Sequence, residues 1–270
     1  MIRITVWNEN VQENGLKYAE LDPADPASRG RAEWLETNQK NVLAVHPEGL
    51  HNTLRALFEE ETDLRVRTAT LDMPECGLSE GTLKDTDVLV WWAHCAHDRV
   101  PDAIAERVRD HVLRGMGLIV LHSAHLSKPF RLLMGTSGTL GWREGDRSRV
   151  WCCCPTHPIA ASIPQSFDLP EEEMYQEYFD IPRPDDIVFI SWFAGGEVFR
   201  SGCTWTRGRG RVFYFQPGHE TQRSYFVPEV RAILKNAARW AAPAVRLEEL
   251  SCPHVVPSAE ERYREGAGRN

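Results

Sequence analysis

Short apolar runs that stop abruptly at polar residues recur along the chain. The clearest is Gly117-Leu118-Ile119-Val120-Leu121, followed at once by His122-Ser123-Ala124-His125. A run that is apolar on both faces suits a strand buried inside a parallel sheet. Its last residues then lie at the carboxyl edge, where open α/β folds bind ligands. Val88-Leu89-Val90-Trp91-Trp92-Ala93 repeats the pattern and ends in His94-Cys95-Ala96-His97-Asp98. Residues 2–7 predict a strand that closes on Asn8-Glu9-Asn10, and residues 64–71 another. In the second half, residues 148–154, 187–193 and 211–215 predict strands, the last ending at Gln216-Pro217-Gly218-His219-Glu220. Gly195-Gly196 marks a hairpin before residues 197–200, and Arg207-Gly208-Arg209-Gly210 joins Thr204-Trp205 to residues 211–215 in a second one.

Between the strands the period changes to that of a helix. Leu50, Leu54, Leu57 and Phe58 share one face, as do Ile104, Val108 and Val112 after Pro101. Val230, Ile233, Leu234, Ala237 and Ala241 give the clearest helix, over residues 228–242. Residues 124–134 predict a helix that Pro129 must distort. The polar stretch 11–38, with turn signals at Asp22-Pro23 and Asp25-Pro26, reads as an excursion from the sheet, with a short helix over 31–39. Residues 135–145 read as a loop, and residues 258–270 as a loosely held tail. Strands alternate with helices early and pair as hairpins late. The expected fold is therefore α/β: a mostly parallel sheet covered on both faces, with antiparallel additions in the C-terminal half. One domain spans residues 1–243, and a polar tail spans 244–270.

Composition narrows the partners. The net charge is −8 with no block of Lys and Arg, which argues against nucleic acid and anionic membrane. No apolar stretch is long enough to span a bilayer, and the N-terminus lacks the pattern of a signal peptide. Seven cysteines include the adjacent Cys152-Cys153-Cys154. Neighbours on a strand point to opposite faces, so this run makes neither a disulfide nor a metal clip. Reduced thiols in a cytoplasmic protein are the expectation.

Chemistry gathers at the strand ends. Asn8 and Glu9, His94 and His97, His122, Ser123 and His125, and His219 and Glu220 all follow predicted strands, which a parallel sheet brings to one edge. Imidazoles among carboxylates suit a divalent transition metal or acid–base work near neutral pH. Ser123 falls where a nucleophile elbow places its nucleophile, but the flanking glycines of that motif are missing, so a hydrogen-bonding role is favoured. His125 lies where it can as well cap or pack. The acidic run 171–177 reads as a solvated face, except that Met174, Tyr175, Tyr178 and Phe179 turn one side inward, so that Tyr175 or Glu177 could reach the site. The tryptophans read mostly as core, with one or two near the strand ends available to stack on a sugar ring.

These residues resemble the ThuA family of trehalose-utilisation proteins, within the class I glutamine-amidotransferase-like superfamily. The resemblance rests on Val6-Trp7-Asn8-Glu9, on the segment from Trp91 to Asp98, and on that from Gly115 to His125. It continues through Leu133–Ser137, Glu172–Tyr175, Phe189–Phe193, Gly195–Gly202 and Phe213–Glu220, and so covers nearly the whole chain up to Pro243. It implies a flavodoxin-like three-layer sandwich and a role in disaccharide catabolism beside sugar oxidoreductases. Amidotransferases of the superfamily carry a Cys at the elbow, with a downstream His and Glu. Here the elbow holds His122-Ser123, which speaks against glutaminase chemistry, while His219 matches the downstream His and Glu220 fits its partner only approximately. The resulting expectation is an enzyme acting on trehalose or a related, including keto-, disaccharide by isomerisation or cleavage. A divalent metal such as zinc would be held by some of His94, His97, His122 and Glu177. His219, with His122, Ser123 and Glu220, would serve catalysis, and Asn8, Glu9, His125 and Tyr175 would contact substrate. A metal-free hydrolase using Ser123 with His219, or a non-catalytic sugar-binding protein, are the alternatives. Exposed-looking aromatics point to a homo-oligomer.

Overall fold

The computed structural model describes residues 1–15, 26–250 and 256–267. Within them nine strands pair into one sheet: β1 (Ile2–Asn8), β2 (Leu64–Thr70), β3 (Val88–Trp92), β4 (Gly117–Leu121), β5 (Gly141–Cys152), β6 (Ser166–Gln176), β7 (Asp186–Phe193), β8 (Val198–Arg207) and β9 (Gly210–Phe215). The order is β2-β1-β3-β4-β9-β8-β7-β5-β6. The pairs from β2 to β9 are parallel and those from β9 to β6 antiparallel. The parallel half has the doubly wound order of flavodoxin-like folds, with β9 as its fifth strand.

Alternation along each strand builds a core on both faces. On β4, Leu118 and Val120 pack in one cluster with Leu83 of α4 (Glu80–Lys84) and Ile104, Val108 and Val112 of α5 (Asp102–Leu113). Ile119 and Leu121 pack in the other, with Leu50, Leu54, Leu57 and Phe58 of α3 (Leu50–Glu59) and Val230, Ile233 and Leu234 of α7 (Pro228–Ala241). Helices on both faces of the sheet give three layers. No helix among the described residues is long and apolar enough to cross a membrane.

Several segments differ from their sequence reading. Residues 141–145 of the predicted loop 135–145 and residues 171–176 of the acidic run 171–177 are strand instead, in the antiparallel pair β5 and β6, whose exposed positions are mostly polar but include Trp142 and Trp151. The predicted helix 124–134 is two pieces. A single-turn 3-10 helix spans His122–Leu126, and α6 spans Lys128–Met134. Pro129 lies in the first turn of α6, where its missing N–H has no helical partner to lose, so it starts the helix without distorting it. The short helix expected at 31–39 extends over Pro26–Val45 as α2, following the brief α1 (Val11–Asn14). Asp22-Pro23 lies outside the described residues. The tail is tied down at its start: Leu247 N–H donates to Arg114 O, and the Arg246 guanidinium donates to Leu83 O and Lys84 O.

Candidate active site

The carboxyl ends of β1, β3, β4 and β9 open onto one edge, and β6 brings three further groups against it. His122 leaves β4 with φ of 54°. That is the sharp strand-to-helix position of an elbow, so the elbow residue is His122 and Ser123 falls one place later. His122 Nδ1 donates to Gln216 O at 3.0 Å, which turns Nε2 towards Glu173 Oε2 at 3.1 Å. His94 follows β3, and its Nδ1 lies 2.9 Å from both oxygens of Glu220. Asn38 on α2 donates to Glu220 Oε1 at 2.9 Å, which fixes that carboxylate from behind. His219 Nδ1 sits 2.9 Å from Thr221 Oγ1. The rings of His94, His122 and His219 stand edge to face, with centroids 5.2–5.6 Å apart.

The loop that carries His219 is held by a buried carboxylate. Glu172 accepts the N–H of Gly218 at 2.8 Å, the N–H of His219 at 3.1 Å and the hydroxyl of Ser224 at 2.6 Å. Trp92 Nε1 donates to Gly218 O, and the Gln216 amide donates to Glu173 O. Gly218 is required here. Its φ is +132°, and a Cβ would lie 2.0 Å from the Tyr225 hydroxyl.

Burial and charge set the protonation states. Burial pushes the His94 imidazole down, but the charge and hydrogen bond of Glu220, reinforced by Glu173 and Glu9, lift it to about 9. Burial also opposes charge on His122, yet Glu173 raises it. Against its own burial, Glu173 is held down to about 2 by His122, His94 and His219. Glu220 is likewise lowered, mainly by His94. His219 is lowered, first by burial and then by the neighbouring imidazoles. The cluster is thus a compact set of nitrogens and carboxylates that compensate one another.

One ligand atom each from His94, His122, His219 and Glu220 lies within 4.8 Å of the other three. This set fits a divalent ion. Gln216 O accepts from Nδ1 of His122, the outer-shell arrangement that orients a metal-bound imidazole. Three imidazoles with one carboxylate suit zinc or a similar transition metal. Two of the expected ligands are elsewhere. Glu177 forms a two-point ion pair with Arg200 and accepts the N–H of Phe179, so its carboxylate is spent on the β6–β8 connection. His97 opens the 3-10 turn His97–Arg99 and is outside the cluster, with neither ring nitrogen hydrogen-bonded.

Two adjoining cavities open over the cluster. One, of about 260 Å³, is lined by His94, Ser123, His125, Thr139, Leu140, Trp142, Glu173 and Tyr175, with Leu126. The other, of about 270 Å³, is lined by residues of α2, by Trp142 and Glu144, and by His94, Glu173, His219, Glu220 and Thr221. Tyr175 Oη bonds to Ser123 Oγ at 2.6 Å and lies 3.4 Å from His122 Nε2. His125 lines the cavity but spends Nδ1 on Gly138 O at 2.6 Å, and burial holds it at about 3, as a neutral ring. Glu9 and Asn8 line neither cavity. The Glu9 carboxylate accepts the N–H groups of Cys95 and Ala96 and so anchors the loop after His94. Asn8 is buried among Glu13, His51 and Asn10.

Sequence reasoning missed Glu172, Glu173 and Asn38. Glu172 to Tyr175 are buried at four successive positions, beside register shifts in the β5–β6 ladder. A bulge of this kind re-aims side chains that a regular strand would send to alternate faces. The available signal was the apolar pair Met174-Tyr175 directly after the glutamates.

A family model described as ThuA, trehalose utilisation, matches residues 36–241. No functionally curated protein matches the chain. Among solved structures, a ThuA-like protein from Parabacteroides merdae is similar, with 14% identity, a TM-score of 0.57 and 92% of each chain covered. A ThuA-like protein from Bacteroides uniformis is 15% identical, with a TM-score of 0.52 and 89% of this chain and 91% of that one covered. A cytoplasmic protein from Salmonella typhimurium is 14% identical, with a TM-score of 0.52 and 73% and 88% covered. At such identities these structures speak for the fold alone. With the family model matched along most of its length and a flavodoxin-like fold in common with ThuA-like proteins, the chain belongs to the ThuA, or trehalose-utilisation, family.

Proposed function

We propose that the protein is a carbohydrate-catabolic enzyme that acts on trehalose or a related disaccharide, including its oxidised (keto) form, by isomerisation or cleavage. The observation that carries this reading is the convergence of His94, His122, His219 and Glu220, three of which line the second cavity. In this reading the four residues hold a divalent cation, zinc suiting the donor set. Such an ion supplies Lewis acidity to a carbonyl or lowers the pKa of bound water.

The surrounding residues divide the remaining work. With His219 in the ligand set, proton transfer falls to Glu173, whose carboxylate borders both cavities. Tyr175 and Ser123, bonded to each other, offer hydroxyls to the substrate's oxygens. Trp142, 62% exposed, borders both cavities and offers its indole to the substrate. The Ser123 hydroxyl is paired with Tyr175 and not with a histidine, which weighs against a serine nucleophile activated by His219. Cys76, Cys152, Cys153, Cys154 and Cys203 form no disulfide, in keeping with a reducing setting.

The test is turnover of trehalose and keto-trehalose, read by product analysis, with and without a chelator. Chelation should abolish turnover, and Glu173→Gln should reduce it by about 100-fold or more, the usual scale for lost acid–base catalysis. Ser123→Ala should stay within about ten-fold, roughly 1.4 kcal/mol. Turnover that survives the chelator but not Ser123→Ala would establish the hydrolase instead. Saccharide binding without any turnover would make the chain a binding protein.

A further inference from the structure

The cleft is divided, and its two parts differ in character. The inner lobe is lined by Ser123, Tyr175 and Leu140. The outer lobe is walled by successive turns of α2, through Trp34, Thr37, Asn38 and Asn41. The two meet at His94, Glu173 and Trp142, which border both. At about 260 and 270 Å³, each lobe alone falls short of the roughly 300–1,000 Å³ of a small-molecule site, while the two joined fall inside that range.

The outer lobe has the surface chemistry of a sugar subsite. Trp34 and Trp142 are 45% and 62% exposed, and both border it. An exposed indole presents a flat apolar face to the C–H face of a pyranose and keeps an N–H for a hydroxyl. Thr37 and Asn41 add exposed polar groups, and Asn41 offers both a donor and an acceptor. Asn38 belongs to the lobe and also holds Glu220, so this wall and the histidine cluster share a residue.

Resting on the carbohydrate reading above, we propose that α2 forms a second subsite that holds the non-reacting ring of a two-ring saccharide. Trp34 and Asn41 are the specificity-determining residues. The linkage between the rings lies over His94 and Glu173, and one ring fills each lobe. Preference for two rings over one then comes from α2 and not from the histidine cluster.

Calorimetric titration of the full chain with glucose and with trehalose tests this. Trehalose should bind at least about ten-fold more tightly, roughly 1.4 kcal/mol. Trp34→Ala and Asn41→Ala, both at exposed positions, should each remove most of that advantage, since glucose can still occupy the lobe at Ser123 and Tyr175. An unchanged advantage in both variants would overturn the subsite, as would equal losses for both sugars or equal affinities in the unaltered chain. If neither sugar binds the unaltered chain, the carbohydrate reading itself fails. That result is separate from a chain that binds sugar but ignores α2.

Discussion

His122 holds a left-handed backbone conformation, with φ of 54°. For a residue with a large side chain this is uncommon and persists only where the surroundings over-determine it. Here the Nδ1 bond to Gln216 O and the Nε2 contact with Glu173 do so. Gly218 plays the complementary part on the opposite loop. Gly218→Ala would drive a methyl into Tyr225 and loosen the Glu172 clamp, so it should abolish cation binding by the cluster. Metal titration of the folded variant checks this, and unchanged affinity would show that the loop is not what positions His219. A residue outside the cluster sets an acid limit. Burial pushes His46 down to about 4, while in the unfolded chain it titrates near 6.5. Between these values the unfolded chain takes up a proton that the folded chain refuses. Stability therefore falls as pH drops from about 6.5 towards 4 and is flat, for this group, above that range. Urea midpoints at pH 7 and pH 5 should converge in His46→Gln relative to the unaltered chain. The strand-end histidines were legible because a strand end is visible in the apolar pattern. Glu172 and Glu173 were not, because the bulge that buries them shows in sequence only through the apolar Met174-Tyr175 beside them.

At the scale of elements, the strongest periodicities were the most faithful. The apolar faces read for α3, α5 and α7 are the buried ones. The misread elements were those where polar residues dominate a half-exposed strand, as over 141–145 at the start of β5. There the sheet ladder supplies the order, and sequence shows it only weakly. Pro129 shows the same limit: its effect depends on where the helix starts. Pro129→Ala should change stability by less than about 1 kcal/mol, since the ring occupies the first turn. Leu54→Ala on α3, fully buried, should cost about 2–5 kcal/mol. Chemical denaturation of the two variants makes the comparison. A large loss at Pro129 would mean that the proline fixes the path from the His122 turn into α6.

Across the whole molecule, the doubly wound half fixes where the site lies. β1, β3, β4 and β9 end at one edge because they run parallel. That much follows from the order of strands and helices along the chain. The antiparallel half contributes what the order does not reveal: β6, at the far edge of the sheet, supplies Glu172, Glu173 and Tyr175 to the ends of β4 and β9. The site is thus shared between the two halves. The account stands most directly on the ion that His94, His122, His219 and Glu220 are read to hold. Elemental analysis of the untagged protein, beside His94→Ala and His219→Ala, measures it. The expected result is about one equivalent of a divalent transition metal per chain, lost in both variants, as a site of three imidazoles and one carboxylate would give. Metal-free protein that stays metal-free after incubation with zinc, manganese and iron would contradict it.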